Sequence, residues 1–275
     1  MNFSVLMSLY WKEVPEYLDS SLNSIVNQSL MPSEIVIIKD GPLNENLENI
    51  LYKYVINYPK LFKIIGLKKN VGLGRALEIG LKHCTYEIVA RMDTDDIALY
   101  NRFEKQIPLI QNDTSISALG SWIAEFDNNP SELKTIRKVP LDYEEILDKA
   151  RYRNPLNHMS VVFRKSAVLS VGNYQSFLWN EDYYLWVRLL INGYKIINTN
   201  DVLLYVRTGE DMFNRRGGIT YFKNEIRLQK KFLELKYIKR TDFIRNILTR
   251  GIVRILPNKL RSTIYRTLLR NKFDK

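Results

Sequence analysis

Apolar positions in the first hundred residues fall into two alternating patterns. Short, nearly unbroken apolar runs at Phe3–Ser8, Glu34–Lys39, Phe62–Leu67 and Tyr86–Met92 have the length of strands buried on both faces. Between them, Pro15–Asn27, Asn44–Asn57 and Gly72–Cys84 repeat apolar residues at helical spacing. This βαβαβαβ succession predicts a parallel sheet covered by helices on both faces, with ligands bound beyond the carboxyl ends of the strands. Those ends supply Ser8, the Asp40-Gly41 pair and the carboxylates at 93–96, all on one edge.

The second half is less regular. Strands are expected at Ser117–Phe126, Leu133–Val139, Met159–Arg164 and Val202–Arg207. Helices are expected from Asp142, over Glu181–Asn192 and from Ile219, and a mobile loop over Gly209–Gly218. There is no internal repeat and no low-complexity linker.

Composition narrows the class. A chain of 275 residues can bury a full core, and 45% hydrophobic with 26% charged residues is ordinary for a globular protein. Cys84 is the only cysteine, which rules out an internal disulfide and fits a reducing compartment. Met1–Tyr10 carries no basic leader pattern, so no signal peptide is expected. Charge breaks every apolar run before the roughly 18 residues of a membrane span, and a cytoplasmic location is expected.

The net charge of +11 is concentrated at one end: residues 236–275 hold twelve Lys or Arg against Asp242 and Asp274. From Thr241 the tail sets Ile244, Ile247, Leu248, Ile252, Ile255 and Leu256 at helical spacing beside Arg245, Arg250 and Arg254. Beyond Pro257, Leu260, Ile264, Leu268 and Leu269 accompany Arg261, Arg266 and Arg270. A basic amphipathic helix pair suits the surface of an anionic membrane; the competing expectation is that its apolar stripe packs on the domain. Nucleic acid is not an expected partner, because no reader motif is present.

Chemistry concentrates in Met92-Asp93-Thr94-Asp95-Asp96. Three carboxylates at the end of a buried strand repel one another, and a hard divalent cation with oxygen ligands, Mn²⁺ or Mg²⁺, would offset that. A solvated turn capping the next helix is the alternative. Three further segments accompany it in order: Ile35–Gly41 (Ile-Val-Ile-Ile-Lys-Asp-Gly), Asn70–Ala76 (Asn-Val-Gly-Leu-Gly-Arg-Ala) and Asn180-Glu181-Asp182-Tyr183.

With these four segments the chain resembles the inverting family 2 glycosyltransferases of the GT-A fold, the bacterial O-antigen and exopolysaccharide enzymes in particular, from about residue 3 to about residue 216. The resemblance implies an α/β fold with a Rossmann-like, mostly parallel sheet flanked by helices and a basic amphipathic C-terminal extension. Residues 1–100 would form the nucleotide-sugar half, 101–238 the acceptor-binding and catalytic half, and 239–275 a membrane-associating tail. It further implies a UDP-sugar donor and a lipid-diphosphate-linked sugar as acceptor. A hexose, galactose or glucose, would pass to a polyprenyl-diphosphate N-acetylhexosamine with a β1,3 bond. The enzyme would lie peripherally on the cytoplasmic face of the bacterial inner membrane.

Each candidate residue has a functional and a plainer reading. The resemblance gives Asp40 to the uracil; the plainer role is closing the Asp-Gly-Pro turn. Ser8, at a strand end, would bind the donor; Glu13, in the loop after the first strand, would assist near the ribose or else be solvated surface. Gly72-x-Gly74-Arg75 opens a helix whose amides favour anions; Arg75 would orient the nucleotide or hold the acidic cluster, or else lie on the surface. By resemblance Asp93 serves the donor and the metal, Asp95 the metal, and Asp96 supports them or accepts from a sugar hydroxyl. Asp182, with Glu181 beside it, is the candidate base for the acceptor hydroxyl, against a role limited to the helix dipole. His158 would meet the acceptor or be a satisfied structural histidine. Trp179 would stack on a sugar or belong to the core. Arg215 and Arg216 would close over the diphosphate or remain solvated.

Two other classes deserve comparison. A catalytically silent nucleotide-sugar-binding scaffold would not need the full acidic set together with Asp182. A nucleotidyltransferase would need a glycine-rich basic loop after the first strand, where Tyr10-Trp-Lys-Glu-Val-Pro15 stands instead.

Overall fold

A computed structural model describes residues 1–208, 218–251 and 271–272. The first half follows the apolar pattern closely. Strands β1 (Ser4–Leu9), β2 (Glu34–Lys39), β3 (Phe62–Gly66) and β4 (Ile88–Arg91) are parallel, in the order β4-β1-β2-β3. The helices between them are α1 (Pro15–Val26), α2 (Glu45–Asn57) and α3 (Leu73–His83).

The two-residue period of β1 divides the core. Val5, Met7 and Leu9 point to one layer with Leu18, Leu22 and Leu51 from α1 and α2. Leu6 points to the other, against Ala76, Leu77 and Leu81 of α3. Both faces of the central strand are dry, which is why its sequence reads as a continuous apolar run. Cys84, just beyond α3, is buried, and burial together with the nearby Glu34 carboxylate pushes its thiol up to about 12.

Past the acidic motif come β5 (Ile97–Ala98), α4 (Arg102–Asn112), β6 (Ile116–Phe126), β7 (Thr135–Arg137), α5 (Tyr143–Lys149), a 3-10 turn at His158–Ser160, β8 (Val162–Arg164), α6 (Lys165–Ser170), α7 (Glu181–Ile191) and β9 (Lys195–Arg207). β8 joins the two halves of the sheet, antiparallel to both β4 and β6. β9 runs parallel to β6 along most of its length and also carries β5. Then follow α8 (Ile219–Glu234), α9 (Arg240–Asn246), a π-helical turn at Ile247–Gly251, and β10 (Asn271–Lys272), which pairs with β7.

The structure departs from the expected elements at several places, among them the strand expected over Leu133–Val139, which shortens to β7. The strand expected over Met159–Arg164 shortens to β8, because Ser160 Oγ accepts from the Ser121 amide at 3.0 Å and Asn157 Nδ2 donates to the Ser121 carbonyl at 2.8 Å. Side chains there take the place of ladder bonds. α4 has no counterpart among the expected helices; Pro108 interrupts its pattern, and Arg102 occupies a fully buried position. The strand expected from Val202 begins earlier, at Lys195, where Asn198 Nδ2 reaches the Pro140 carbonyl at 2.6 Å.

The start of the tail departs from the competing expectation that its apolar stripe packs on the domain. Asn246 is buried and donates to Gln229 Oε1 and the Arg151 carbonyl, both at 2.8 Å. Arg250 lies 3.0 Å from the buried Glu225 carboxylate. Ile244 and Leu248, one helical turn apart, are 57% and 56% exposed. The polar groups therefore root this helix on α8 while its apolar pair faces outward. The remainder of the expected tail helices, 252–270, lies outside the described residues, as does 209–217 of the expected loop.

Candidate active site

The end of β4 is organised by Arg91. Its guanidinium is buried and paired with Asp93, while Nε and Nη1 have no hydrogen-bond partner among the described residues. Arg102 donates to the Arg91 carbonyl at 2.8 Å and to that of Met159 at 3.1 Å, which fixes the backbone from below. Carboxylate oxygens of Asp93, Asp95 and Asp96 lie within 4.8 Å of one another. Asp96 is fully buried; one oxygen accepts from the Arg207 amide at 3.1 Å, and the other is unpartnered among the described residues. Burial and the flanking acids raise Asp96 well above the usual carboxylate range, and burial with Asp93 and Glu13 pushes Asp95 up to about 7.

Glu13 belongs to this cluster. The Thr94 hydroxyl donates to its carboxylate, the Val14 amide donates to the same group at 2.9 Å, and burial raises its pKa. The guanidinium of Arg207 closes the rim, lying 3.6 Å from the ring centre of Tyr17 and donating to the Asn128 carbonyl at 3.1 Å.

A second acidic group opens α7. Glu181 and Asp182 sit in its first turn, after Asn180. Burial and the neighbouring Asp182 push Glu181 up to about 7. Burial also raises Asp182, opposed by bonds from the Tyr183 amide and from Asn154 Nδ2, the latter at 2.6 Å, and by the charge of Arg91. Arg91 thus acts electrostatically on both acidic groups, and Asp93 acts on Glu181. The approach of α7 depends on Gly74 at the start of α3: a Cβ there would lie 3.1 Å from the Glu181 Cβ and 3.3 Å from the Gln175 carbonyl oxygen.

On the β2 side, Asp40 is buried with both oxygens engaged, one accepting from the Val71 amide at 2.6 Å and the other from the Gly72 amide at 3.0 Å. Gly41 follows at φ +93°, where a side chain would meet the Asn70 amide nitrogen at 2.7 Å. Asp40 therefore shapes the Asn70–Gly72 loop that leads into α3. Ser8, one residue before the end of β1, lies in register with Ile38 of this strand. Arg75 is paired with Glu78 of its own helix, a carboxylate that Lys82 also contacts at 3.0 Å.

His158 occupies the position of its plainer reading, whereas Trp179 does not belong to the core. His158 is buried, sharing a 3.0 Å hydrogen bond with the Tyr174 hydroxyl and lying edge-on to Trp186. Burial and Arg91 hold its pKa well below the usual value, so it is neutral. Trp179 is 41% exposed, with one face stacked on Tyr221 at 4.8 Å. Arg215 and Arg216 lie outside the described residues.

Three residues of the site carry no local signal. Arg91 looks in the sequence like a break in an apolar run, Asn154 belongs to a segment that draws attention through His158, and Arg207 ends a strand far along the chain. Only the folded chain brings them to the acids.

The donor set at 93–96 fits a hard divalent cation. It offers clustered carboxylate oxygens, a buried unpartnered one among them, with more negative charge than Arg91 alone offsets. The pair at 181–182 is different in kind: one carboxylate held by an amide side chain and backbone at a helix start, suited to accepting a proton.

Residues 4–176 match the family described as Glycosyl transferase family 2. The chain is 44% identical over 266 residues to the amylovoran biosynthesis glycosyltransferase AmsE of Erwinia amylovora, covering 96% of this chain and 97% of that protein. It is 38% identical over 271 residues to the UDP-Gal:alpha-D-GlcNAc-diphosphoundecaprenol beta-1,3-galactosyltransferase of Escherichia coli, covering 98% and 97%. Among solved structures, S. aureus TarS 1-349 in complex with UDP-GlcNAc superposes with a TM-score of 0.68 at 17% identity, over 96% of this chain and 75% of that one. That last likeness concerns the fold.

Proposed function

The chain belongs to glycosyl transferase family 2, and we propose that within it the protein is an inverting galactosyltransferase of O-antigen or exopolysaccharide synthesis. It moves galactose from UDP-galactose to an N-acetylglucosamine carried on a polyprenyl diphosphate, forming a β1,3 bond. Likeness across almost the full length of a relative with that activity supports the donor and acceptor. The observation that carries the mechanism is the convergence of two acidic groups of different kind on Arg91.

In this reading Asp93 and Asp95, with Asp96 behind them, hold Mn²⁺ or Mg²⁺, which when bound offsets charge on the diphosphate. Glu13 and Ser8 border the ribose, and Asp40 fixes the loop under the nucleotide. Asp182 accepts the proton of the acceptor hydroxyl while that oxygen bonds to the anomeric carbon. The carbon–oxygen bond to the diphosphate breaks with its electron pair, and UDP leaves from the opposite face. Asn154 keeps the Asp182 carboxylate oriented for this. Residues 1–100 and 101–238 serve as donor and acceptor halves.

The tail, 239–275, is proposed to hold the enzyme at the membrane surface. No helix among the described residues is long and apolar enough to cross a membrane. The outward Ile244–Leu248 pair beside Arg245 and Arg240 supports interfacial contact.

The test is transfer by purified protein from UDP-galactose, with UDP-glucose for comparison, to a synthetic lipid-diphosphate N-acetylglucosamine in Mn²⁺. Asp182→Asn is expected to lower kcat by roughly 10²- to 10⁴-fold, with UDP binding retained, and Asp95→Ala to abolish turnover. Undiminished transfer by Asp182→Asn, or in chelator, overturns the mechanism.

A further inference from the structure

Between the segment leading into α7 and the outer face of α8 lies a groove of about 490 Å³. One wall is Gln175–Phe177 and Tyr184; the other is Lys223, Arg227, Lys230 and Lys231 with Ile226 and Glu234. Lys223, Arg227 and Lys230 follow at intervals of four and three residues, so they share one stripe of the helix. The opposite face of α8 is committed to the core through Leu228 and Phe232. The groove is thus a fixed surface.

Its charge is poorly compensated. Lys231 pairs with Glu234 at 3.0 Å, and Arg227 lies 5.2 Å from the Phe177 ring centre. Lys223 and Lys230 have no carboxylate partner among the described residues. Three cations without a carboxylate partner facing an aromatic wall suit a compact polyanion attached to an apolar chain.

Position selects which polyanion. The wall at Gln175–Phe177 runs directly into Trp179-Asn180-Glu181-Asp182, and Tyr184 is on the same helix as the proposed base. The donor diphosphate is assigned elsewhere, to the ends of β1, β2 and β4. We propose that the groove binds the diphosphate of the lipid-linked acceptor, with Lys223, Arg227 and Lys230 on its phosphate oxygens. This rests on the acceptor assigned above. Gln175 and Glu181 both abut Gly74 at the start of α3, 3.3 Å and 3.1 Å from where its Cβ would stand, which brings this wall beside the acids of α7.

Kinetics with a soluble, short-chain N-acetylglucosamine diphosphate separate this site from membrane attachment. Lys223→Glu and Lys230→Glu disrupt no ion pair among the described residues, and each is expected to raise the acceptor KM by about tenfold, the loss of roughly one charge-assisted contact, leaving the UDP-galactose KM near its wild-type value. Lys60→Glu, an exposed change of equal charge at the amino end of β3, away from the carboxyl ends that carry the acids, is expected to match wild type. With an alkyl N-acetylglucosaminide lacking the diphosphate, groove variants and wild type are expected to coincide. Inorganic pyrophosphate is expected to compete with the diphosphate acceptor in wild type and more weakly in the variants.

An unchanged acceptor KM in both groove variants overturns the proposal. So does an equal effect on the acceptor lacking phosphate, or loss of binding to anionic vesicles with the soluble acceptor KM intact, which would make the groove a headgroup surface. If wild type transfers to no acceptor, the assigned function fails on its own. Calorimetric titration of the short-chain diphosphate against wild type and Lys223→Glu then decides the groove, equal affinity counting against it.

Discussion

Arg91 is costly to bury, and its surroundings explain why the chain does so. One guanidinium offsets charge from Asp93 beside it and acts on Asp95, Asp96, Glu181 and Asp182. Burial raises both acids of α7, and the arginine's charge opposes that rise. Removing the charge should therefore raise them further. A base must be ionised to accept a proton, so Arg91→Met is expected to move the acidic limb of the kcat/KM profile to higher pH. A profile superimposable on wild type would contradict the coupling. The acids were legible because their types and spacing are contiguous in sequence, as Asp93-Thr94-Asp95-Asp96 and Glu181-Asp182. Arg91, Asn154 and Arg207 were not, since each matters only through neighbours brought to it by the sheet. His158 and Trp179 are the converse: their residue types suggest ligand contact, while His158 spends its polar atom on Tyr174 and Trp179 one ring face on Tyr221.

The elements of the first half followed from apolar periodicity because β1, β2 and β4 are dry on both faces, which leaves the chain little freedom in pattern. In the second half side chains substitute for backbone pairing at Asn157, Ser160 and Asn198, and such substitutions leave no periodic trace. α4 was hidden by Pro108 and the buried Arg102. The meeting of α3 with α7 carries a test at this level. Gly74→Val would place carbon against Glu181 and the Gln175 carbonyl, forcing the start of α7 away from Arg91. The expected result is a fall in kcat of about 10²-fold, the scale of an ångström's misplacement, with UDP binding, measured by titration, close to wild type. A variant that folds and turns over normally would show that the spacing is not required.

For the whole molecule, the raised carboxylates set the direction of pH dependence. Glu181 moves from 4.5 when exposed to about 7, and Asp95 from 3.8 to about 7. The folded chain binds these protons more tightly than the unfolded one, so their contribution is fully present below about 4 and is lost as pH climbs through about 7. Glu78 and Asp113 are shifted down and act oppositely, in the more acidic range. In chelator the melting temperature is expected to fall from pH 5 to pH 8, and Mn²⁺ to reduce that fall; an identical fall with and without the ion would argue against a cation on the acids. In the proposed membrane contact each nearby cation would contribute roughly 1 kcal/mol, and the outward Ile244–Leu248 pair would add apolar contact. Ile244→Ser with Leu248→Ser is expected to reduce flotation with anionic liposomes, and equal flotation would dismiss that surface. The thiol of Cys84, sealed beneath α3 and held protonated at neutral pH, has a practical corollary. Maleimides need an accessible thiolate, so the natural chain should stay unlabelled and accept a single introduced cysteine, at Ser176 for instance, as a fluorescent reporter of acceptor arrival without background.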